Sequence, residues 1–280
     1  MSRNLRILYT ADLHGNLRHY QKLLSLSVIE KADSIVMGGD LLPKGQLLHV
    51  HIEGQRRFIT DHLRPLFESF RDIYHEKAIY LMMGNDDYAV NMNRFEEMET
   101  EGTIKLLHLR VHPLTDSLSL AGYGCVPPTS FLIKDWERLD GDRSSVPEHS
   151  YQACSSEHGR IVPIDAREWF ISHNTISEDL ETLARLSEPA NTIYVMHTPP
   201  LGTKLDVLRS GRHAGSRSVR HFIEERRPPL TLHGHVHESH NMTKEFIDRI
   251  GSTICVNAGQ TEDFLHAVIV DLPGYVVRRV

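Results

Sequence analysis

Five short apolar segments, each followed within a few residues by Asp, Asn or His, constrain the fold of this chain more than any other feature. The first segment, Leu5–Tyr9, precedes Asp12 and His14, and the second, Ser34–Met37, precedes Asp40. Residues with the 3.6-residue periodicity of amphipathic helices lie between these segments. Strands that alternate with helices are typical of α/β folds. The sequence therefore predicts an α/β fold in which several strands end at polar side chains.

The same arrangement recurs in three later segments. They are Ala78–Met82 before Gly84 and Asn85, Thr192–Met196 before His197, and Leu230–Leu232 before His235 and His237. In open α/β sheets, ligands bind beyond the carboxyl ends of the strands. Each short motif is weak evidence alone, but five in this order predict that the side chains converge on one site. Nitrogen and oxygen ligands without a thiolate favour Mn, Fe or Zn at such a site.

Longer patterns predict the helices. Residues 54–74 carry one apolar face, which predicts a helix that Pro65 kinks or splits. The capping box Thr175–Glu178 predicts the start of a helix. Ser216 is the expected N-cap of a further helix over residues 217–226.

The length of 280 residues is compatible with one or two domains. We interpret residues 1–280 as a single domain. Residues 125–175 contain four prolines and a polar tract but lack the periodicity of an independent core. They are therefore expected to form an insertion within that domain.

The composition limits the cellular locations and the classes of partner to be expected for this protein. Cys125, Cys154 and Cys255 are odd in number and far apart, which favours a reducing compartment, most simply the cytoplasm. The first residues lack the pattern of a signal peptide, and no apolar run approaches the ~18 residues of a membrane span. The net charge of −6 makes nucleic acid an unexpected partner. Histidines outside the motifs, such as His49 and His149, are expected at the surface.

The ordered motifs resemble those of the calcineurin-like metallophosphoesterases, from residue 5 to about residue 260. The motifs that carry the resemblance are Asp12-x-His14, Gly39-Asp40, Gly84-Asn85, His197 and Gly234-His235-x-His237. The resemblance implies a four-layer α/β/β/α sandwich with two mixed β-sheets. It also implies two divalent metal ions, Mn, Fe or Zn, and a hydroxide that bridges them and attacks the phosphate ester.

The resemblance also assigns the metal ligands. One ion would be held by Asp12, His14, Asp40 and His237, and the other by Asp40, Asn85, His197 and His235. Asp40 would then be shared, because two cations ~3.5–4 Å apart need a common carboxylate to offset their repulsion. Two ions of charge +2 against two carboxylates leave a net positive site, which suits an anionic phosphate ester.

One residue departs from the pattern. Most relatives carry His after the Gly-Asn motif, where it is credited with helping to protonate the leaving group, but this chain has Asp86. An ionised carboxylate ~5 Å from a developing alkoxide would oppose that charge by roughly 3 kcal/mol at an effective dielectric constant near 20. We assign Asn85, Asp86 and His235 to catalysis, with Asp86 either a supporting group or an acid of raised pKa. The alternative is that Asp86 and Asp87 are surface carboxylates that cap the next helix.

The residues expected to bind substrate are Lys44, Lys204, Arg212 and Ser216. Residues 204–220 are rich in basic side chains, and a helix beginning after Ser216 would direct backbone N–H groups at a phosphate or nucleotide. The alternative is that this segment, like Lys44, is a solvated basic surface.

The predicted function is metal-dependent hydrolysis of phosphate esters, with phosphodiesters favoured over monoesters. The expected substrate is a small phosphate ester, which includes nucleotides, and no membrane partner is expected. Two alternatives stay open: a non-catalytic scaffold of the same fold that binds partners, and a hydrolase of nucleotide-sugar or lipid pyrophosphates. A scaffold has no need of all seven ligands, and residues 125–175 look too polar for membrane docking.

Overall fold

Two six-stranded β-sheets form the centre of the computed structural model, which describes residues 4–44, 48–145 and 152–280. Two histidines expected at the surface are not among the described groups: His149 lies outside these residues, and so does the side chain of His49. The strands are β1 (Leu5–Thr10), β2 (Ser34–Gly38), β3 (Ala78–Met82), β4 (Lys105–Leu106), β5 (Val111–Thr115), β6 (Leu118–Tyr123), β7 (Ala153–Glu157), β8 (Arg160–Ile164), β9 (Thr192–Met196), β10 (Leu230–His233), β11 (Ile247–Ile250), β12 (Thr253–Asn257), β13 (Val268–Leu272) and β14 (Val276–Arg279).

Both large sheets are mixed. The first has the order β14-β13-β1-β2-β3-β4, in which β1 to β4 are parallel and β13 and β14 are antiparallel to their neighbours. The second has the order β11-β12-β10-β9-β6-β5, with β12, β10, β9 and β6 parallel and the two edge strands antiparallel. The predicted ligands follow the carboxyl ends of the parallel strands β1, β2 and β3 of the first sheet and β9 and β10 of the second.

The helices are α1 (Leu17–Ile29), α2 (Leu48–Arg57), α3 (Arg64–Ile73), α4 (Met92–Thr100), α5 (Ala166–Ser172), α6 (Ile176–Leu186), α7 (Arg217–Arg226) and α8 (Ser239–Thr243). Of these, α1, α3, α4, α6 and α7 pack against the outer faces of the sheets. A π-helical segment at Phe58–Leu63 joins α2 to α3 just before Pro65, where the sequence predicts an interruption. A proline lacks the N–H that a continuous α-helix needs at that point.

Side chains alternate across each strand and so separate two cores. In β1, Ile7 and Tyr9 pack between the sheets with residues of β9 and β10 such as Val195 and Leu232. Leu8, from the same strand, packs outward with residues of the surrounding helices. This alternation produces the expected four-layer α/β/β/α sandwich with two mixed sheets.

Residues 125–175 have more regular structure than their sequence pattern predicts. They contain the two-stranded sheet β7-β8, the helix α5, and a small apolar cluster of Leu139 and Phe170. Residues 146–151 of this segment lie outside the described residues. A buried ion pair, Lys134 Nζ to Glu137 Oε2 at 2.9 Å, fixes its first loop. Within the described ranges, no helix combines the length and apolar character needed to cross a membrane.

Candidate metal centre

The loops that follow β1 and β2 are joined by backbone hydrogen bonds. The amides of Asp12 and His14 donate to the carbonyl oxygens of Gly39 and Asp40, each at 2.9 Å. The parallel register of β1 and β2 places these loops side by side. Asp12, His14 and Asp40 are therefore held together by main-chain contacts that do not depend on a bound ion.

Two contacts connect the ligands of the first sheet to those of the second. The backbone amide of His235 donates to Asp12 Oδ1 at 2.9 Å. His197 Nδ1 lies 2.8 Å from the carbonyl oxygen of Gly38. Since a carbonyl only accepts, Nδ1 of His197 carries the hydrogen and Nε2 is left to bind a ligand.

The predicted ligands form two groups. Potential ligand atoms of Asp12, His14, Asp40 and His237 lie within 4.8 Å of one another, and those of Asp40, His197 and His235 form a second such group. Within the first group, Nε2 of His237 is 3.5 Å from Asp12 Oδ1. In the second group, Nε2 of His197 is 3.3 Å from Asp40 Oδ2. Asp40 belongs to both groups, as expected of a carboxylate shared by two cations.

Asn85, an amide that belongs to neither acid–imidazole group, borders the second one. It is 5% exposed, and the amide of the following residue, Asp86, donates to Asp40 Oδ1 at 2.8 Å. The preceding residue, Gly84, approaches so closely that a Cβ atom there would lie 2.4 Å from Asp40 Oδ1 and 2.7 Å from His197 Nε2. A side chain at position 84 would occupy the space between two predicted ligands.

Four of the predicted ligands have a strained backbone. Asp12, His14, Asp40 and His235 have φ angles of 59°, 43°, 53° and 64°. These values lie in the left-handed region that residues other than glycine seldom adopt, and each such residue costs of order 1–3 kcal/mol. Strain of this kind persists where the surrounding structure enforces it for function.

The polar atoms of the cluster fit divalent cations. Asp12 Oδ2, Asn85 Oδ1 and His197 Nε2 are buried and form no hydrogen bond within the described part of the chain. Buried polar atoms without a partner are rare in folded proteins because desolvation makes them costly. Carboxylate, amide and imidazole donors are also the types that Mn, Fe and Zn accept.

The electrostatics of the cluster favour cations as well. Burial lowers the pKa of His14 and of His235 to about 3, which keeps both imidazoles neutral and able to bind a metal. Burial opposes charge on His197, but the carboxylates of Asp40 and Asp12 raise its pKa to about 9. The two carboxylates thus draw positive charge to this point, and a bound cation would displace that proton.

Asp86 and Asp87 have different environments, and neither caps the next helix. Asp87 is fully buried, and its carboxylate accepts hydrogen bonds from the amides of Leu41, Leu42 and Gly84. It therefore ties the Asp40 loop to the Asn85 loop. Asp86 Oδ2 lies 2.8 Å from Lys44 Nζ. The surface-carboxylate alternative is wrong for Asp87, since the parallel strands β2 and β3 bring two loops together around it.

Two cavities border the ligand cluster and share Lys44. The larger, of about 480 Å³, is lined by Asp12, His14 and His237 of the cluster and also by Arg209. The smaller, of about 180 Å³, is lined by polar residues and by an apolar patch from the predicted insertion and its surroundings. The members of that patch are Pro43, Tyr88, Phe131, Leu132 and Ile133.

The structure does not bring the other predicted substrate-binding residues to these cavities. Ser216 is fully buried as the N-cap of α7, and its hydroxyl donates to the carboxylate of Asp140. The amide of Arg217 donates to the same carboxylate at 2.7 Å. The anion at this helix N-terminus is thus Asp140, from residues 125–175, and the expectation of a phosphate there is wrong.

Lys204 and Arg212 lie on the surface outside both cavities. Nζ of Lys204 is 3.4 Å from Glu245 Oε1, and Arg212 is exposed. The open alternative, a solvated basic surface, describes both residues. Their loop is organised around buried Asp206, which accepts hydrogen bonds from the amides of Gly202, Thr203 and Gly215.

Sequence reasoning did not identify two contributors. Asp140 sits in a polar tract without a motif, and Phe131 lies in the segment interpreted as an insertion. Arg209 belongs to the basic segment 204–220 expected to bind a phosphate or nucleotide, but no sequence signal separates it from the other basic residues there. His233, at the end of β10, is buried, and its Nδ1 lies 2.9 and 3.0 Å from the carbonyl oxygens of Met196 and Thr198.

The sequence from residue 5 to residue 239 matches the family model of the calcineurin-like phosphoesterases. This chain belongs to that family. No protein of curated function matches the sequence significantly.

Solved structures show that this calcineurin-like phosphoesterase shares its fold with distant proteins. One structure aligns over 99% of both chains with a TM-score of 0.65 at 18% identity. Protein TT1561 of Thermus thermophilus aligns over 99% of both chains with a TM-score of 0.61 at 16% identity. A dimetal phosphatase from Danio rerio has a TM-score of 0.52 at 9% identity, over 99% of this chain and 98% of its own. At these identities the likeness concerns the fold.

Proposed function

We propose that this calcineurin-like phosphoesterase hydrolyses phosphodiesters with two divalent metal ions. One ion would be held by Asp12, His14, Asp40 and His237, and the other by Asp40, Asn85, His197 and His235. The observation that carries the proposal is the pair of ligand groups that share Asp40. The unpartnered buried atoms of Asp12, Asn85 and His197 support it independently.

When bound, the two ions would supply Lewis-acid stabilisation of the phosphoryl oxygens and a water of lowered pKa. The protein supplies the arrangement. Asp12 and Asp40 are held by the main chain of neighbouring loops, and the Gly38 carbonyl fixes the orientation of His197. Such preorganisation is worth more in a buried site than in water because the local dielectric constant is lower. Asn85 and His235 we assign to orientation of the substrate phosphate beside the second ion.

The preference for diesters rests on the two cavities. A phosphodiester has two organic arms, whereas a monoester has one. With the phosphate at the ligand cluster, the larger cavity has room for one arm and the smaller cavity for the other. Lys44, which lines both, then faces the phosphate between the arms.

A second candidate is hydrolysis of a nucleoside diphosphate linkage. Arg209 supports it, because this cation lines the larger cavity together with the ligands Asp12, His14 and His237. A second phosphate group in that cavity would bind Arg209. The walls also carry polar side chains, Asn16, Asn241 and Glu262, which suit a sugar or nucleoside arm.

The test is an activity panel in which the metal is defined. Apo protein is reloaded with Mn, Fe, Zn, Mg or Ni, and the bound metal is counted by elemental analysis. Each form is assayed with bis- and mono-nitrophenyl phosphates, cyclic nucleotides and nucleoside diphosphate sugars. We expect two ions per chain and faster turnover of the diester than of the monoester. Full occupancy without turnover of any substrate would contradict the proposal and favour the scaffold alternative.

We also propose a cytoplasmic location. The support is that Cys125, Cys154 and Cys255 are buried free thiols, and unpaired cysteines are typical of reducing compartments. Fractionation of expressing cells tests this proposal, and recovery of the protein with secreted or periplasmic markers would contradict it.

A further inference from the structure

Lys44 and Asp86 form an ion pair at the junction of the two cavities. Lys44 Nζ lies 2.8 Å from Asp86 Oδ2. The carboxylate side chain is 21% exposed and the lysine side chain 49% exposed, so the pair faces solvent on one side only. Lys44 follows Asp40 by four residues and Asp86 directly follows Asn85, so both members of the pair come from ligand-bearing loops.

Asp86 is fixed on several sides. Its amide donates to Asp40 Oδ1 at 2.8 Å, and its carboxylate accepts from Asn85 Nδ2 at 3.3 Å. Its carbonyl oxygen accepts from Gln55 Nε2 at 2.8 Å, and Gln55 Oε1 in turn accepts from the amide of Tyr88 at 2.8 Å. Gln55 is 1% exposed. The carboxylate therefore has a defined position from which to hold a flexible lysine.

Lys44 is the only Lys or Arg side chain, within the described residues, that lines both cavities. Arg209 lines the larger cavity but not the smaller one. The smaller cavity has an apolar wall of Tyr88, Phe131, Leu132 and Ile133, with Asp86 as its anion and Lys44 as its cation. A negatively charged leaving oxygen at the mouth of this smaller cavity would face one cation from the protein.

We infer that Lys44 stabilises the leaving oxygen during phosphodiester hydrolysis and that Asp86 positions Lys44 for this role. The leaving group, aromatic or otherwise apolar and uncharged, occupies the smaller cavity. This inference rests on the proposed function. The oxygen of water bonds to phosphorus and the P–O bond to the leaving group breaks, with its electron pair remaining on the leaving oxygen. The Lys44 ammonium hydrogen-bonds to that oxygen and keeps its own proton, and the departing oxygen is protonated by the proton that the attacking water releases.

The charge needed for this role is maintained in the pair. Burial disfavours the ammonium of Lys44, but Asp86 and Asp40 outweigh that effect and raise its pKa. Bound ions would engage Asp40, so the contact that favours the ammonium in the metal-loaded protein is the 2.8 Å ion pair with Asp86. Lys44 in turn balances the charge of Asp86, which alone would repel the developing charge.

The experiment compares the wild type with Lys44→Met, Lys44→Arg and Asp86→Asn, each loaded with the same metal. The substrates are methyl aryl phosphodiesters whose phenols differ in pKa. We expect Lys44→Met to lower kcat by about 10-fold for nitrophenol and about 100-fold for phenol, since loss of one stabilising donor costs up to ~10²–10³ in rate. Lys44→Arg should retain most of the activity, and Asp86→Asn should show a smaller loss with the same steeper dependence on leaving group.

Two further measurements separate this role from a structural one. Metal content by elemental analysis should be unchanged in all three variants, and the ratio of wild-type to Lys44→Met kcat should stay constant between about pH 6 and pH 9, below the ordinary lysine pKa. The matched controls are Lys105→Met and Glu245→Gln, which remove an exposed lysine and the exposed carboxylate of another lysine pair. Both should behave as wild type.

The outcomes are distinct. A uniform loss across the phenol series in Lys44→Met, or wild-type behaviour of both Lys44→Met and Asp86→Asn, would overturn this inference while leaving the proposed function intact. A wild-type protein that binds two ions but turns over no phosphoester would overturn both.

Discussion

Two lysine–carboxylate pairs of this protein look alike in isolation. Lys44 pairs with Asp86 at 2.8 Å, and Lys204 pairs with Glu245 at 3.4 Å. About half of each lysine side chain is exposed, 49% and 54%. They differ in location: Lys44 lines both cavities beside the ligand cluster, whereas Lys204 lines neither.

The difference teaches how a cation becomes available to a substrate. Lys44 extends from a loop that Asp87 ties to the Asn85 loop, so its partner and the predicted ligands are fixed together. Lys204 belongs to a loop that hydrogen-bonds elsewhere: its amide donates to Asp248 Oδ2, and its carbonyl oxygen accepts from Thr243 Oγ1. An exposed ion pair of that kind contributes little to stability, typically 0–1 kcal/mol. Proximity in sequence to His197 did not bring Lys204 to the centre.

The largest expected effect tests whether the chemistry occurs beside Lys44 at all. Asp40→Asn should abolish binding of at least one ion and lower kcat/KM by about 10³-fold or more, because metal-ion charge stabilisation is worth several kcal/mol. Elemental analysis and kinetics check the result, with Asp61→Asn, an exposed carboxylate, as control. Two bound ions and unchanged turnover would remove the basis for the comparison.

A smaller effect tests the claim that the helix α7 N-terminus is structural. Asp140→Ala removes the acceptor for the Ser216 hydroxyl and for the amides of Arg217 and Ser218. We expect a loss of about 1–3 kcal/mol in the free energy of unfolding, the usual cost of leaving buried donors unpaired. Urea denaturation checks it against Asp116→Ala, an exposed turn residue expected to change stability by less than ~0.5 kcal/mol.

Activity of the folded Asp140→Ala protein should stay within about twofold of the wild type. A large rise in KM with unchanged stability would mean that this helix N-terminus contacts the substrate. It would contradict the conclusion that Asp140 is the only anion at this position among the described residues.

The third prediction concerns Arg209, the residue of the basic loop that does reach a cavity. Arg209→Ala should raise KM by about fivefold with little change in kcat, since an exposed charge contact is worth up to ~1 kcal/mol. Steady-state kinetics with a nucleoside-containing diester checks it. A fall in kcat with KM unchanged would instead mean that Arg209 contacts the substrate only in the transition state.

The smallest effects are expected for the remaining basic residues. Lys204→Met and Arg212→Ala should leave kcat/KM within about twofold and the free energy of unfolding within ~0.5 kcal/mol. A tenfold loss in either variant would show that the two lysine pairs are not as different as their positions indicate.

Most of the fold was predictable because it depends on local pattern. Strands β3 and β9 and helix α7 have the predicted bounds, and the capping box at Thr175 forms as expected. Strands β5, β7, β8 and β11 were not predicted. They lie at sheet edges or in the separate small sheet, and their short sequences have no continuous apolar run.

The sequence alone determined which side chains gather at the candidate centre. Asp12, Asp40, Asn85, His197 and His235 each follow a buried strand, and within each sheet the parallel strands deliver their carboxyl ends to the same edge by geometry that every such sheet shares.

Only the tertiary structure decided which charged side chains line the two cavities and which pair with other parts of the protein. Asp140 reaches the N-terminus of α7, and Asp86 reaches Lys44, across loops that no periodicity connects. Electrostatic partners of this kind depend on distances of a few ångströms between distant segments, and such distances exist only after the two sheets and their helices have packed.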